Sequence, residues 1–233
     1  MPRSPPVRKA PRTTLRPSDL AAKVIGSRSR RSGQKEHGST PWDLLVVGLG
    51  NPGDRYANTR HNVGADTVAL LASRYGERLS PDKRTSALVA ELRIDGRRVA
   101  VAFPTTWMNE SGQAVGPLVK RYGIDDWSRL VVVHDELDLP SGRTKVKLGG
   151  GLAGHNGLRS ITQHLHTQDY ARVRIGVGRP PGGADRGADW VLSKVPSAQR
   201  AELDVAIERA ADAVELICSD GVDAAMQHCN QSQ

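Results

Sequence analysis

Asparagine recurs where this chain turns, in settings where glycine and proline already do the work of turning. The three loops Gly48-Leu49-Gly50-Asn51-Pro52-Gly53, Pro104-Thr105-Thr106-Trp107-Met108-Asn109 and Gly154-His155-Asn156-Gly157 each follow an apolar run and each carry one. A carboxamide offers donors and an acceptor without adding a competing base. His61 lies just past the first loop, and Asp135, in His134-Asp135-Glu136-Leu137-Asp138, ends another apolar run. An imidazole with an ordinary pKa of about 6.5 is mostly neutral at cytosolic pH and accepts a proton from water without large tuning. A carboxylate at a strand end is suited to take the other ring N–H, which fixes the tautomer and stabilises the imidazolium as it forms. A base, an orienting acid and neutral donors suit attack of water on a carbonyl. Taken singly, His61 fits a satisfied polar residue at a helix start, and each asparagine fits a turn or cap.

Other chemistries fit less well. Gly48-x-Gly50-x-x-Gly53 matches the dinucleotide fingerprint, but that motif needs a helix starting within the loop and an acid ending a second strand about 20 residues on. Pro52 and Tyr56-Ala57-Asn58-Thr59 delay the helix to about His61, and the acid at a suitable distance, Glu77, ends a helix. Gly149-Gly150-Gly151 lacks the Gly-Lys-Ser/Thr ending of a P-loop. There is no Gly-x-Ser-x-Gly elbow, and Cys218 and Cys229 lie far from every motif. The seven histidines show no His-Glu-x-x-His spacing, and His164 and His166 would face different sides of a helix. Neither a metal nor a cofactor is expected, and water is the expected nucleophile.

The elements that must carry these residues alternate between strand and helix patterns. Leu44 to Val47 is a short apolar run of buried-strand type, followed by a predicted helix from His61 to Tyr75 ended by Gly76. Leu88, Ala90, Leu92 and Ile94 alternate, Asp95-Gly96 offers a type I′ turn, and Val99, Val101 and Phe103 continue a hairpin. Pro117 belongs in the first turn of a helix ending at Tyr122, because it is costly further in. Leu130 to Val133, Thr144 to Leu148 and Val173 to Val177 read as strands, Asn156 to Leu165 as a helix, and Leu203 to Ile217 as a long amphipathic helix. The expected fold is a single-domain, three-layer α/β/α arrangement around a mixed, partly parallel sheet.

Charge is uneven along the 233 residues. The net charge is +8, yet residues 1–40 hold ten of the 33 Lys/Arg and two of the 25 Asp/Glu, which leaves 23 of each sign beyond them. That leader is rich in Arg, Ser and Pro with no apolar period, so 1–40 is expected to be a disordered basic extension and 41–233 the folded domain. Its five prolines weaken the amphipathic helix of an organellar transit peptide, and a bacterial extension or a misassigned start codon is expected instead. Arg143 to Arg186 carries eight Lys/Arg against Asp169 and Asp185, which leaves a basic face for an anionic partner. Lys145 and Lys147 lie two apart on one strand, and Arg172 and Arg174 on another, so each pair shares a face. Two cysteines without a framework point to reduced thiols, and no apolar run reaches the roughly 18 residues of a membrane span, so a soluble cytoplasmic protein is expected.

Gly48 to Gly64, Pro104 to Val115, His134 to Pro140 and Gly149 to Ile161 closely resemble, in order and spacing, the signature segments of bacterial peptidyl-tRNA hydrolase. The likeness runs from about Trp42 to the C-terminal region. It implies a monomeric α/β esterase, without a cofactor, that cleaves the ester between peptide and tRNA with His61 as general base and Asp135 as its partner. By the same resemblance Asn51 contacts the peptide beside the ester and favours a blocked amino group. Tyr56, Trp107, Asn109 and Asn156 line the site around the peptide and the 3′ end of the tRNA. Lys147 and Arg174 hold the terminal phosphate, with Lys145 as an accessory. Trp107 stands where the family more often has Phe, and Ala153 replaces a common Gly. A catalytically silent tRNA-binding or ribosome-associated module on the same fold is the alternative, against which the presence of both His61 and Asp135 argues.

Overall fold

Leu44, Leu45, Val46 and Val47 are apolar without alternation, and a strand so built must be covered on both faces. In the computed structural model, which describes residues 41–181 and 186–231, this segment is β1 (Leu44–Gly48), fully buried at the centre of the sheet. The other strands are β2 (Ser80–Asp82), β3 (Ala87–Ile94), β4 (Arg97–Pro104), β5 (Leu130–Glu136), β6 (Thr144–Leu148) and β7 (Ala171–Gly176). They lie in the order β2-β3-β4-β1-β5-β7-β6. The central four run parallel, while β2, β3 and β6 join antiparallel at the two sides. The extension assigned to residues 1–40 lies outside the described residues.

Alternation along β1 divides the core in two. Leu44 and Val46 face a layer made by α1 (Val63–Arg74), α5 (Ser197–Asp220) and α6 (Val222–Gln231). Leu45 and Val47 face α2 (Ser111–Tyr122) and α3 (Asn156–Leu165). The mixed sheet between two helical layers is the expected architecture. A short α4 (Gly187–Leu192) follows β7. Asp95 and Gly96 have φ of 48° and 78°, the left-handed pair that a type I′ hairpin needs.

Pro117 departs from the reading above: α2 begins at Ser111, so the proline sits inside it rather than in its first turn. Pro117 and Gln113 both face solvent, where water can serve the carbonyl that the missing N–H leaves unbonded. The edge strand β2 was not expected either. It is three residues long and contains Pro81, so it carries no periodic signal and suits only an edge. At the opposite edge α6 lies along β6, where the Asn230 carboxamide accepts from the Val146 N–H and donates to its C=O, both at 3.0 Å.

The parallel strands end at one side of the sheet, and the three asparagine loops gather there. The first is drawn onto α1: the Ala65 N–H donates to the Leu49 C=O at 3.0 Å, and the Leu49 N–H to Val133 C=O at 2.9 Å. This approach needs Gly64, where a Cβ would lie 2.2 Å from Val133 O and 2.6 Å from Leu49 N. Because those atoms are backbone and cannot yield, Gly64→Ala should lower stability by about 1–3 kcal/mol in urea titration. Gly116→Ala, on the same test, should be neutral or stabilising, since a Cβ there meets nothing within 4 Å and alanine favours a helix.

Candidate active site

Asn51 is fixed before any substrate arrives. Its N–H donates to Asn62 Oδ1 and its C=O accepts from Asn62 Nδ2, both at 2.9 Å, so a side chain eleven residues on acts as a backbone partner. Its own Oδ1 accepts from the Met108 N–H at 2.9 Å. That bond settles which way the amide faces and leaves Nδ2 as the donor toward the cavity that Asn51 lines.

His61 occupies a 3-10 turn (Arg60–Asn62) between the first loop and α1. Its Nδ1–H donates to Asp135 Oδ1 at 2.8 Å, so Nε2 is the basic nitrogen. Both side chains are buried. Burial pushes the His61 imidazole down, but the charge and hydrogen bond of Asp135 more than offset this and leave it raised. Burial likewise opposes ionisation of Asp135, and the two imidazoles that face it hold the carboxyl well below its usual range.

The second of those imidazoles, His155, stands beside Asn156 in the third loop, and nothing in the sequence marks it as a partner of Asp135. It precedes α3 as its N-cap, where Nδ1 accepts from the N–H groups of Gly157 (3.1 Å) and Leu158 (3.4 Å). Its Nε2–H then donates to Asp135 Oδ1 at 3.1 Å. A histidine in an N-cap position carries no periodic or motif signal, which is why spacing did not single it out. The donor atoms of His61, Asp135 and His155 lie within 4.8 Å of one another, close enough to hold a metal. Both ring nitrogens carry the protons that bond Asp135, so a metal ion would have to displace them.

His134, a third ring, donates from Nδ1 to the Asp135 C=O at 2.7 Å. Burial, helped by His155, pushes its pKa down to about 3, so it stays neutral. Arg60 is also buried: it stacks on Trp190 at 3.6 Å and donates to Ser193 Oγ (2.8 Å) and Gln199 Oε1 (2.7 Å). The turn that presents His61 is thereby tied to α4 and α5.

Asn51, His61, Asp135 and His155 open on a cavity of about 680 Å³ that also takes in Tyr56, Trp107, Asn109 and Asn156 from the expected set. Tyr56 and Trp107 pack edge to face with centroids 5.8 Å apart, and Trp107 remains 51% exposed. Asn109 lies in the turn Met108–Glu110, and Asn156 opens α3 with its Oδ1 bonded by Arg159. Ala153 has φ 48°, so the residue standing where glycine is common takes a left-handed conformation. One wall comes from α4, through Gly187, Ala188, Val191 and Leu192.

The basic residues expected to hold phosphate lie apart from this cavity. Lys147 and Arg174 line a second one of about 290 Å³ with His134 and Glu136, whereas Lys145 does not border it. The register places Lys145 opposite Arg174 and Lys147 opposite Arg172. Arg172, which shares the face of Arg174, is buried and donates to the carbonyls of Gly150, Gly151 and Gln168, so it braces the glycine-rich loop. Arg174 is bonded through Nε (3.1 Å) and Nη2 (2.9 Å) to Glu136 Oε2. Glu136 borders both cavities.

Comparison with known proteins gives a consistent result. The sequence profile of the family described as Peptidyl-tRNA hydrolase matches residues 45–233. The peptidyl-tRNA hydrolase of Mycobacterium avium (strain 104) is 50% identical over 182 residues, covering 78% of this chain and 94% of its own. That of Cutibacterium acnes (strain DSM 16379 / KPA171202) is 50% identical over 196 residues, covering 80% and 97%. The crystal structure of peptidyl-tRNA hydrolase from Acinetobacter baumannii matches with a TM-score of 0.76 and 41% identity, over 83% of this chain and 98% of that one.

The paired shifts give a prediction for the His61 ring, followed by NMR. It should titrate above 6.5 in the native chain and below 6.5 in Asp135→Asn, where burial remains and the anion is gone. The raised value means that His61 adds to fold stability below pH 6.5 and loses that contribution as pH rises through its folded pKa. Asp135 acts oppositely: its stabilisation is present above 3.8 and fades as pH falls through the lowered value. A His61 midpoint unmoved by Asp135→Asn would contradict this coupling.

Proposed function

Because the chain belongs to the peptidyl-tRNA hydrolase family, we propose that it cleaves the ester joining a peptide to the 3′ end of tRNA, freeing both. The observation that carries this reading is the His61–Asp135 pair, 2.8 Å apart, at a cavity that has neutral amide donors and, among the described residues, no Ser, Thr, Cys or Lys in its lining. His61 Nε2 takes a proton from water as the oxygen bonds to the ester carbon. Asp135 stabilises the imidazolium during that step. When the bond from carbon to the ribose oxygen breaks, the proton passes from His61 to that oxygen, so the base is restored and the carboxylate product leaves.

Asn51 serves the transition state through Nδ2, the donor left by its bond to Met108, and meets the peptide beside the ester. Asn109 and Asn156 orient the peptide and the 3′ end, and the Tyr56–Trp107 pair supplies an apolar wall. Lys147 and Arg174 hold the terminal phosphate, with Lys145 beside Arg174 as accessory. Contacts of this kind position RNA without reading its sequence. Action as a monomer in the cytoplasm completes the reading, and the two free thiols fit a reducing compartment.

Turnover of peptidyl-tRNA with a blocked amino group tests the proposal. His61→Ala should lose about 10² to 10⁴ in kcat with tRNA affinity nearly intact, and an undiminished kcat would sink the mechanism. Lys147→Ala and Arg174→Ala should raise KM for full-length substrate and flatten its salt dependence by about 0.7 to 0.9 in log–log slope each. Arg174→Ala should cost more, because it leaves the Glu136 carboxylate unpaired beside an incoming phosphate. Substrate lacking the tRNA body should be almost indifferent to both, and an equal loss on both substrates would refute the phosphate contact.

A further inference from the structure

Asp135 Oδ1 accepts two N–H bonds, from His61 Nδ1 at 2.8 Å and from His155 Nε2 at 3.1 Å. The second donor cannot choose another tautomer. The lone pair of His155 Nδ1 is held by the first free N–H groups of α3, those of Gly157 and Leu158, so the proton of the neutral ring must sit on Nε2. Both imidazoles and the carboxylate are almost entirely withdrawn from water, where such bonds polarise one another strongly. A bond from His155 therefore draws on the same electron density that binds the His61 proton.

We propose that His155 is a positioning residue for the reaction at His61: its helix-fixed Nε2–H anchors the Asp135 carboxylate and takes up part of its charge, which keeps His61 available as a free base. With undivided access to Asp135, His61 would hold its proton more firmly. The proposal rests on the hydrolase reading only for its kinetic consequence.

Few other charges bear on this cluster. From β5, His134 faces His155 with ring centres 5.0 Å apart and is held neutral, while Glu136 is engaged with Arg174. From α3, Arg159 at the cavity rim is bonded to Asn156. Arg60, beside His61, is bonded to Ser193 and Gln199, and α4 contributes only Gly187, Ala188, Val191 and Leu192 to the cavity wall.

Two substitutions in the full chain separate the helix cap from the donor. Asn is a good N-cap but too short to replace Nε2–H, so His155→Asn should keep α3 and raise the NMR midpoint of the His61 ring by about 0.5 to 1 unit. The acid limb of kcat/KM on peptidyl-tRNA should move up equally, with the rate loss greatest at low pH. His155→Gln should do the reverse, restoring a donor near Asp135 with a midpoint within about 0.3 units of native while weakening the cap and lowering Tm. A midpoint unchanged or lowered in His155→Asn, or moved equally by both variants, overturns the proposal. So does an Nδ1–H tautomer for His155 in the ring ¹⁵N shifts of the native chain, a measurement that needs no variant to fold. If the midpoint responds as expected while the native chain leaves peptidyl-tRNA intact, the hydrolase reading fails and the role of His155 stands.

Discussion

A carboxylate taken out of water must be compensated on the spot, and in this chain that carboxylate is Asp135. It lies near the end of a central parallel strand, where no backbone of its own sheet can neutralise it. Compensation has to come from elsewhere, and it comes from two directions. The turn after β1 delivers His61, and the start of α3 delivers His155. Each element must arrive within hydrogen-bond reach, which sets tight limits on how far α1 and α3 can stand from β5. The missing side chain of Gly64 is one result, since α1 reaches its place only by backbone contact with the strand ends. The bond between the Leu49 N–H and Val133 is another.

The same region separates two kinds of work. Around Asp135 the partners are two imidazoles, and three asparagine amides face the larger cavity. One residue further along β5, Glu136 turns to Arg174 and to the smaller, cationic cavity. Alternation along a strand thus sends consecutive acidic side chains to different tasks. An imidazole and a guanidinium with full access to one another would each disturb the other's charge. The strand keeps a carboxylate beside each of them instead.

Much of this was legible in the sequence where a pattern repeats. The apolar run at Leu44, the Asp95-Gly96 hairpin and the helix Asn156–Leu165 carry the periods and turn signals of their elements, and the structure has them there. His61, Asp135 and Asn51 were legible because the residue types are chemically unusual in their settings. What escaped depended on contacts between distant segments. Nothing local marks Asn62 as the partner of the Asn51 backbone, or His155 as a donor to Asp135. Arg172 and Arg174 look alike at a spacing of two, yet one is spent on loop carbonyls and the other is paired with the Glu136 carboxylate. Pro117 sits inside α2 and not in its first turn because the exposed side of that helix lets water serve the carbonyl it frees, which the general cost of an interior proline does not foretell.

The two borders of the sheet are finished in different ways. At one, β2 stops after three residues and includes a proline. At the other, the Asn230 carboxamide occupies both polar groups of Val146 with the donor and acceptor of a single planar amide, much as a neighbouring strand would. The side chain is a surrogate for one residue of an eighth strand, and it comes with a bulky helix attached. A second molecule that approached β6 to extend the sheet would find the middle of that strand already taken. Self-association through open strands is a hazard for any mixed sheet made quickly and in quantity. Here α6 closes that route, so protection of this edge is completed only when that helix has docked.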